Sequence, residues 1–270
     1  DLSRPVIHHL HLDKSNLITK DLLHLSQRHM CKKWFLMRKL KQSEEYSEKN
    51  IRERILKTTE ELINNGCRHF RTHIDIDHLV GLKCINVALE IKEQYKKKNI
   101  HMQVGTQTLE GLDNEIDFKL FQEAANLEGI DFLGCLPSRD KNPSIHLDKI
   151  FDTASSLGYD GIPVEVHADQ LSLPLPQERE SELVCSKTED FNYQGRVRII
   201  HAISLARFDK EYQRRIAKRM ARNRIFLVIC PSAALGMQLD DTKLYNIPIH
   251  NSIAPLKILL EEGVNVGLGC

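Results

Sequence analysis

The chain has 270 residues, enough for one substantial core, and its 38 basic and 37 acidic residues leave a formal net charge of +1. That balance excludes the electrostatic footprint of a nucleic-acid binder, and no apolar run is long enough to cross a bilayer as a helix. The seven cysteines, at 31, 67, 84, 135, 185, 230 and 270, include no Cys-x-x-Cys pair, so they read as free thiols in a reducing, cytoplasmic compartment. No secretory signal is visible, although the chain starts abruptly and a leader removed earlier stays open.

Short apolar runs alternate with longer amphipathic ones. The pattern predicts strands near 5–9, 67–73, 101–107, 130–136, 162–168, 196–201, 225–230 and 264–269. Helical patterns lie between them, at 51–65, 79–97, 117–128, 146–157, 208–222 and 254–262. Gly66, Gly129, Gly158, Gly161 and Gly263 stand at helix-to-strand joints as C-terminal caps. The stretch 171–195, with Pro174, Pro176 and Glu178-Arg179-Glu180, reads as a loop or a degenerate helix. Repeated strand-then-helix units argue for parallel β/α architecture, and eight strands close a TIM-type (β/α)8 barrel as a single unit over 1–270. The last predicted strand ends at Cys270, so the barrel is expected to lack its final helix.

Polar residues recur at the C-terminal ends of these strands, where such a barrel builds its active site. Strand one ends in His8-His9-Leu10-His11-Leu12-Asp13-Lys14. In an extended strand alternate side chains share a side, so His9 and His11 can converge on one metal ion while His8 points the other way. A lone His-x-His more often marks a half-exposed strand end. That reading loses weight here because strand five ends in Glu165-Val166-His167-Ala168-Asp169-Gln170 and strand six in Ile199-Ile200-His201. Strand two adds Arg71-Thr72-His73-Ile74-Asp75, and strand three ends in Gln107. Arg71 and Asp75 are expected to form a structural ion pair. His73 either lines the pocket or holds the strand end through hydrogen bonds, the second being favoured. His146 is expected on an exposed helix.

These motifs resemble the metal-dependent amidohydrolases of the cytosine deaminase group. The matching stretches are His9-Leu10-His11-Leu12-Asp13, Gly66-Cys67-Arg68-His69-Phe70-Arg71-Thr72-His73-Ile74-Asp75, His167-Ala168-Asp169, the His201 strand and Gly263-Val264-Asn265-Val266-Gly267-Leu268-Gly269. The resemblance implies a single divalent ion, zinc or iron, held by His9, His11 and His167. It implies that His201 contacts the reacting centre and that Gln107 hydrogen-bonds the substrate ring. The implied reaction is hydrolysis of a C–N bond in a nitrogen heterocycle or cyclic amide by activated water.

Two features depart from that pattern. Gln170 stands where the group carries a proton-shuttling glutamate, and an amide can orient a partner but not exchange a proton near neutrality. The aspartate that ends strand eight in the group should follow Cys270, and the small β-domain of relatives has no counterpart here. The competing reading is therefore an inactive barrel that binds metal or ligand without turnover, and a structural barrel with fortuitous histidines ranks far behind. The expected partner is a small molecule, with no nucleic acid and no membrane, and a homo-oligomer stays open.

Overall fold

The structure is a computed structural model that describes residues 5–26, 30–170, 179–236 and 253–269. Its strands are β1 (Val6–Ile7), β2 (His69–Asp75), β3 (His101–Gln107), β4 (Leu133–Cys135), β5 (Val164–Ala168), β6 (Val197–His201), β7 (Phe226–Ile229) and β8 (Val266–Leu268). Every ladder is parallel and joins chain neighbours: β1-β2-β3 on one side and β4-β5-β6-β7-β8 on the other. A parallel bridge from Gly105 to Phe132 links the two sets. At the remaining seam the inward positions of Gly267 and Gly269 lie directly against His8 and His9. This is the eight-stranded β/α barrel the sequence predicts.

Its helices are α1 (Lys20–Ser26), α2 (Met30–Lys41), α3 (Glu48–Asn64), α4 (Lys83–Lys96), α5 (Glu115–Ala125), α6 (Pro143–Ser156), α7 (Glu180–Asp190) and α8 (Lys210–Arg222), with short helices at Pro231–Gly236 after β7 and at Leu256–Glu261 before β8. α3 shows why the alternation is legible. Ser47 caps its start by accepting a hydrogen bond from the Asn50 amide, and Ile51 and Ile55 bury one face completely. Gly66 ends it at φ +83°, with Cys67 N donating to Leu62 O and Gly66 N to Ile63 O, the double bond of a Schellman stop. Gly263 repeats the device ahead of β8, where Gly263 N and Val264 N donate to Leu260 O and Leu259 O.

Three sequence expectations change. The stretch read as a loop or degenerate helix contains the regular helix α7; Pro174 and Pro176 lie outside the described residues. His146 is fully buried on the inward face of α6, with Nδ1 2.6 Å from Asp140 and Nε2 3.3 Å from Thr108 Oγ1. Arg71 and Asp75 do not pair. Both face the barrel interior, but four residues of strand separate them by about 13 Å, beyond ion-pair reach.

Asp75 meets lysines instead. Lys14 Nζ is 2.5 Å away, and Lys41 Nζ, at the end of α2, reaches Asp75 at 2.7 Å and Asp77 at 2.5 Å. Although burial alone would depress the Lys41 ammonium, the two carboxylates raise its pKa. Removing this lysine would leave two buried carboxylates short of a counter-charge. Lys41→Met is therefore expected to cost about 3–5 kcal/mol of stability, read from urea unfolding, and a loss near zero would contradict the pairing.

Candidate metal centre

The strand pleat determines which side chains enter the barrel. On β2 these are Arg71, His73 and Asp75, while Phe70, Thr72 and Ile74 pack outward against the helices. On β5 they are Glu165 and His167. Their depth along the strand sorts them into layers.

The upper layer holds the histidines. His9, His11 and His167 each offer a ring nitrogen, and these atoms all lie within 4.8 Å of one another. His11 Nε2 and His167 Nε2 face each other at 3.3 Å across the mouth. Two nitrogens bound tetrahedrally at 2.0–2.1 Å would stand about 3.3–3.4 Å apart, so this spacing suits a zinc-sized ion. His167 Nδ1 lies 3.3 Å from the Cys135 carbonyl, an acceptor that keeps its proton on that side and turns the Nε2 lone pair inward. His9 Nδ1 is buried without a hydrogen-bond partner. Buried donor atoms of this kind, with an unsatisfied nitrogen among them, fit a divalent cation.

His201 approaches from β6, its ring 5.3 Å from that of His167 and 5.9 Å from that of His9. It sits at φ +81°, unusual for a residue with a side chain, and Ala202 follows at +53°. Backbone strain of this sort costs about 1–3 kcal/mol and tends to persist where function requires it. His201 Nδ1 is also buried and unpartnered. Gln107 ends β3 beside Asp75, 2% exposed, and its Oε1 has no partner.

Asp169 and Gln170, adjacent at the end of β5, differ in their surroundings. Asp169, at φ +53°, turns away to accept the Glu180 and Ser181 amides at 2.8 and 3.1 Å, while Glu180 Oε2 accepts the Asp169 amide at 2.7 Å. It therefore caps α7, and burial raises its pKa to about 6. Gln170 is half-buried. His8 stays out of the cluster, its ring 5.3 Å from Phe226.

A charged layer lies beneath. Glu165 accepts an ion pair from Arg71 and lies 3.0 Å from His73 Nε2, with Arg198 Nε at 3.6 Å. Burial opposes ionisation, but the His73 hydrogen bond and Arg71 hold the carboxyl below its ordinary value. The His73 ring stands 4.7 Å from His9 and 4.8 Å from His167, so this histidine supports the cluster from below. Gly134 makes room for it, since a Cβ there would fall 2.3 Å from His73 Nδ1. The sequence reading names Glu165 at the end of strand five without giving it a role, although it stands two residues before His167 and so on the same face.

No protein-family model matches the chain. An uncharacterized protein of Haemophilus influenzae is 29% identical over 259 residues, covering 94% of this chain and 89% of its own length. Among solved structures, 5-methylcytosine deaminase from Klebsiella pneumoniae, liganded with 5-fluorocytosine, superposes with a TM-score of 0.86 at 21% identity. N-isopropylammelide isopropylaminohydrolase from Burkholderia multivorans follows at 0.71 and 19%. Each match covers 98% of this chain, which spans 62% of the length of either structure. The chain has the barrel fold of these enzymes, and the likeness read from its motifs holds at the level of architecture.

Burial lowers the pKa of His9, His11, His73, His167 and His201, with His201 pushed down to about 3. Unfolded histidines titrate near 6.5, so below that pH the unfolded chain binds protons that the folded chain refuses, and stability must fall as pH falls. Each such histidine contributes up to about 1.4 kcal/mol per pH unit. Protein stripped with a chelator should lose urea resistance steeply from pH 7 to pH 5. A flat profile would mean that the rings are protonated in the fold.

Proposed function

We propose that this barrel is a divalent-metal hydrolase of a C–N bond in a nitrogen heterocycle or cyclic amide. The observation that carries the reading is the convergence of His9, His11 and His167 at metal-ligand spacing, at the end of the barrel where β/α enzymes place their chemistry. The names of the structural neighbours, a deaminase and an aminohydrolase, agree with it. The identity of the ion, zinc or iron, is left open by a set of imidazoles.

When bound, the ion supplies Lewis acidity and brings the pKa of water towards neutrality. The chain supplies the rest. His9, His11 and His167, held neutral by burial, are ready to ligate without first losing a proton to solvent. His201, neutral and unpartnered at Nδ1, is placed to accept a hydrogen bond from the attacking water and to orient it towards the C–N bond. Gln107 presents its free Oε1 to a ring N–H of the substrate. Gln170 orients and does not exchange protons. The buried cysteines Cys67, Cys84, Cys135 and Cys185, free thiols in the fold, favour a reducing cytoplasmic setting.

Metal analysis tests the reading. Protein purified without chelator should hold close to one divalent ion per chain; His167→Ala should lose it, and His101→Ala, at an exposed position on the far end of β3, should keep it. Equal metal in both variants would contradict the assignment.

Gln170 yields a second test. Cytosine should be deaminated slowly or not at all, and Gln170→Glu should raise ammonia release by about 10²–10⁴-fold, the usual value of a positioned acid–base group. Fast turnover of cytosine by the natural chain would show that His201 manages the proton alone.

A further inference from the structure

α2 lies across the barrel mouth, and its contacts trace the path. Lys41 is anchored at the end of β2 by Asp75 and Asp77. One turn back, Arg38 reaches Glu110, beyond β3, at 3.7 Å and His78 Nε2 at 3.5 Å. A turn further, the Trp34 ring carries the guanidinium of Arg139, beyond β4, at 4.1 Å. Lys33, Met37 and Lys41 follow one another at four-residue intervals and so share a face. Met37 and Lys41 are 5% and 3% exposed, which turns that face onto the barrel.

Eight residues of helix advance about 12 Å from Lys41 to Lys33, so Lys33 stands well away from the end of β2 that anchors Lys41. Its charge is one of the causes that lower the pKa of His201, at the end of β6. Lys33 is partly buried, and burial together with Lys14 lowers its pKa. It has no hydrogen bond or ion pair among the described residues, whereas Lys14, Arg38 and Lys41 each meet a carboxylate. A divalent ion would add positive charge, and no carboxylate among the described residues pairs with this ammonium. Partly burying an unpaired charge is unfavourable unless a counter-charge arrives.

We propose that Lys33 is a substrate-recognition residue and that the substrate is an anion: a cyclic amide or amino-heterocycle whose carboxylate pairs with Lys33 while its reacting carbon lies over His9, His11 and His167. One uncompensated ammonium matches one carboxylate. The proposal rests on the hydrolase reading above and adds the class of substrate.

Calorimetric titration of the zinc-loaded protein with two matched pairs, orotate against uracil and 5-carboxycytosine against cytosine, tests it. At least one acid should bind roughly tenfold or more tightly than its neutral parent, the range of a charge-assisted hydrogen bond. That ratio should fall to near one in Lys33→Met and in Lys33→Gln, and return in large part in Lys33→Arg. Equal affinities in the natural chain, no binding of either acid, or a preference that survives both neutral substitutions would overturn the assignment. Zinc measured in the same samples separates the two claims. Loaded protein without the preference removes the role of Lys33 alone, whereas natural protein that does not retain zinc removes the hydrolase reading as well.

Discussion

Neutral imidazoles with converging lone pairs are the constraint on which the site depends. β1 and β5 stand far apart in the chain, and only closure of the sheet brings His11 Nε2 within 3.3 Å of His167 Nε2. Burial keeps both rings uncharged, so their lone pairs cannot be satisfied by taking protons from solvent without a large desolvation cost. Such an arrangement is stable when an electrophile of the right radius sits between the nitrogens, and it is expensive otherwise.

Two polar layers prepare that position. From below, Glu165 collects Arg71, Arg198 and His73, and His73 then stands against His9 and His167. The carboxylate thus steadies the cluster through another side chain, not by contact with it. From above, the paired Lys14, Lys41, Asp75 and Asp77 lock the end of β2 to α2. Both layers are ionic and buried, so each is costly to break from one side even if its net contribution to stability is small. Their value lies in fixing one geometry.

The strands were legible because a parallel sheet covered on both faces needs apolar runs, and each run here is bounded by a glycine cap or a polar strand end. The histidines were legible for the same reason: His167 and His201 stand at the ends of apolar strands, and His9 and His11 follow directly after one. Glu165 could have been found from its two-residue spacing to His167. The same periodicity placed Arg71 and Asp75 on one face but could not supply a partner for either, since partners come from strands distant in sequence. α2 was invisible because a segment such as Lys32-Lys33-Trp34-Phe35-Leu36-Met37-Arg38-Lys39-Leu40-Lys41 has no clean apolar stripe, and nothing local marks Lys41 as buried. His146 misled because a histidine beside charged residues reads as exposed until its Asp140 partner is seen.

X-ray absorption at the metal edge tests the central claim most directly. Protein reconstituted with one equivalent of zinc should show three nitrogen scatterers at about 2.0–2.1 Å with the outer-shell pattern of imidazole, and His167→Ala should lose one of them. A spectrum dominated by water oxygens, or one that His167→Ala leaves unchanged, would contradict a metal centre built from His9, His11 and His167.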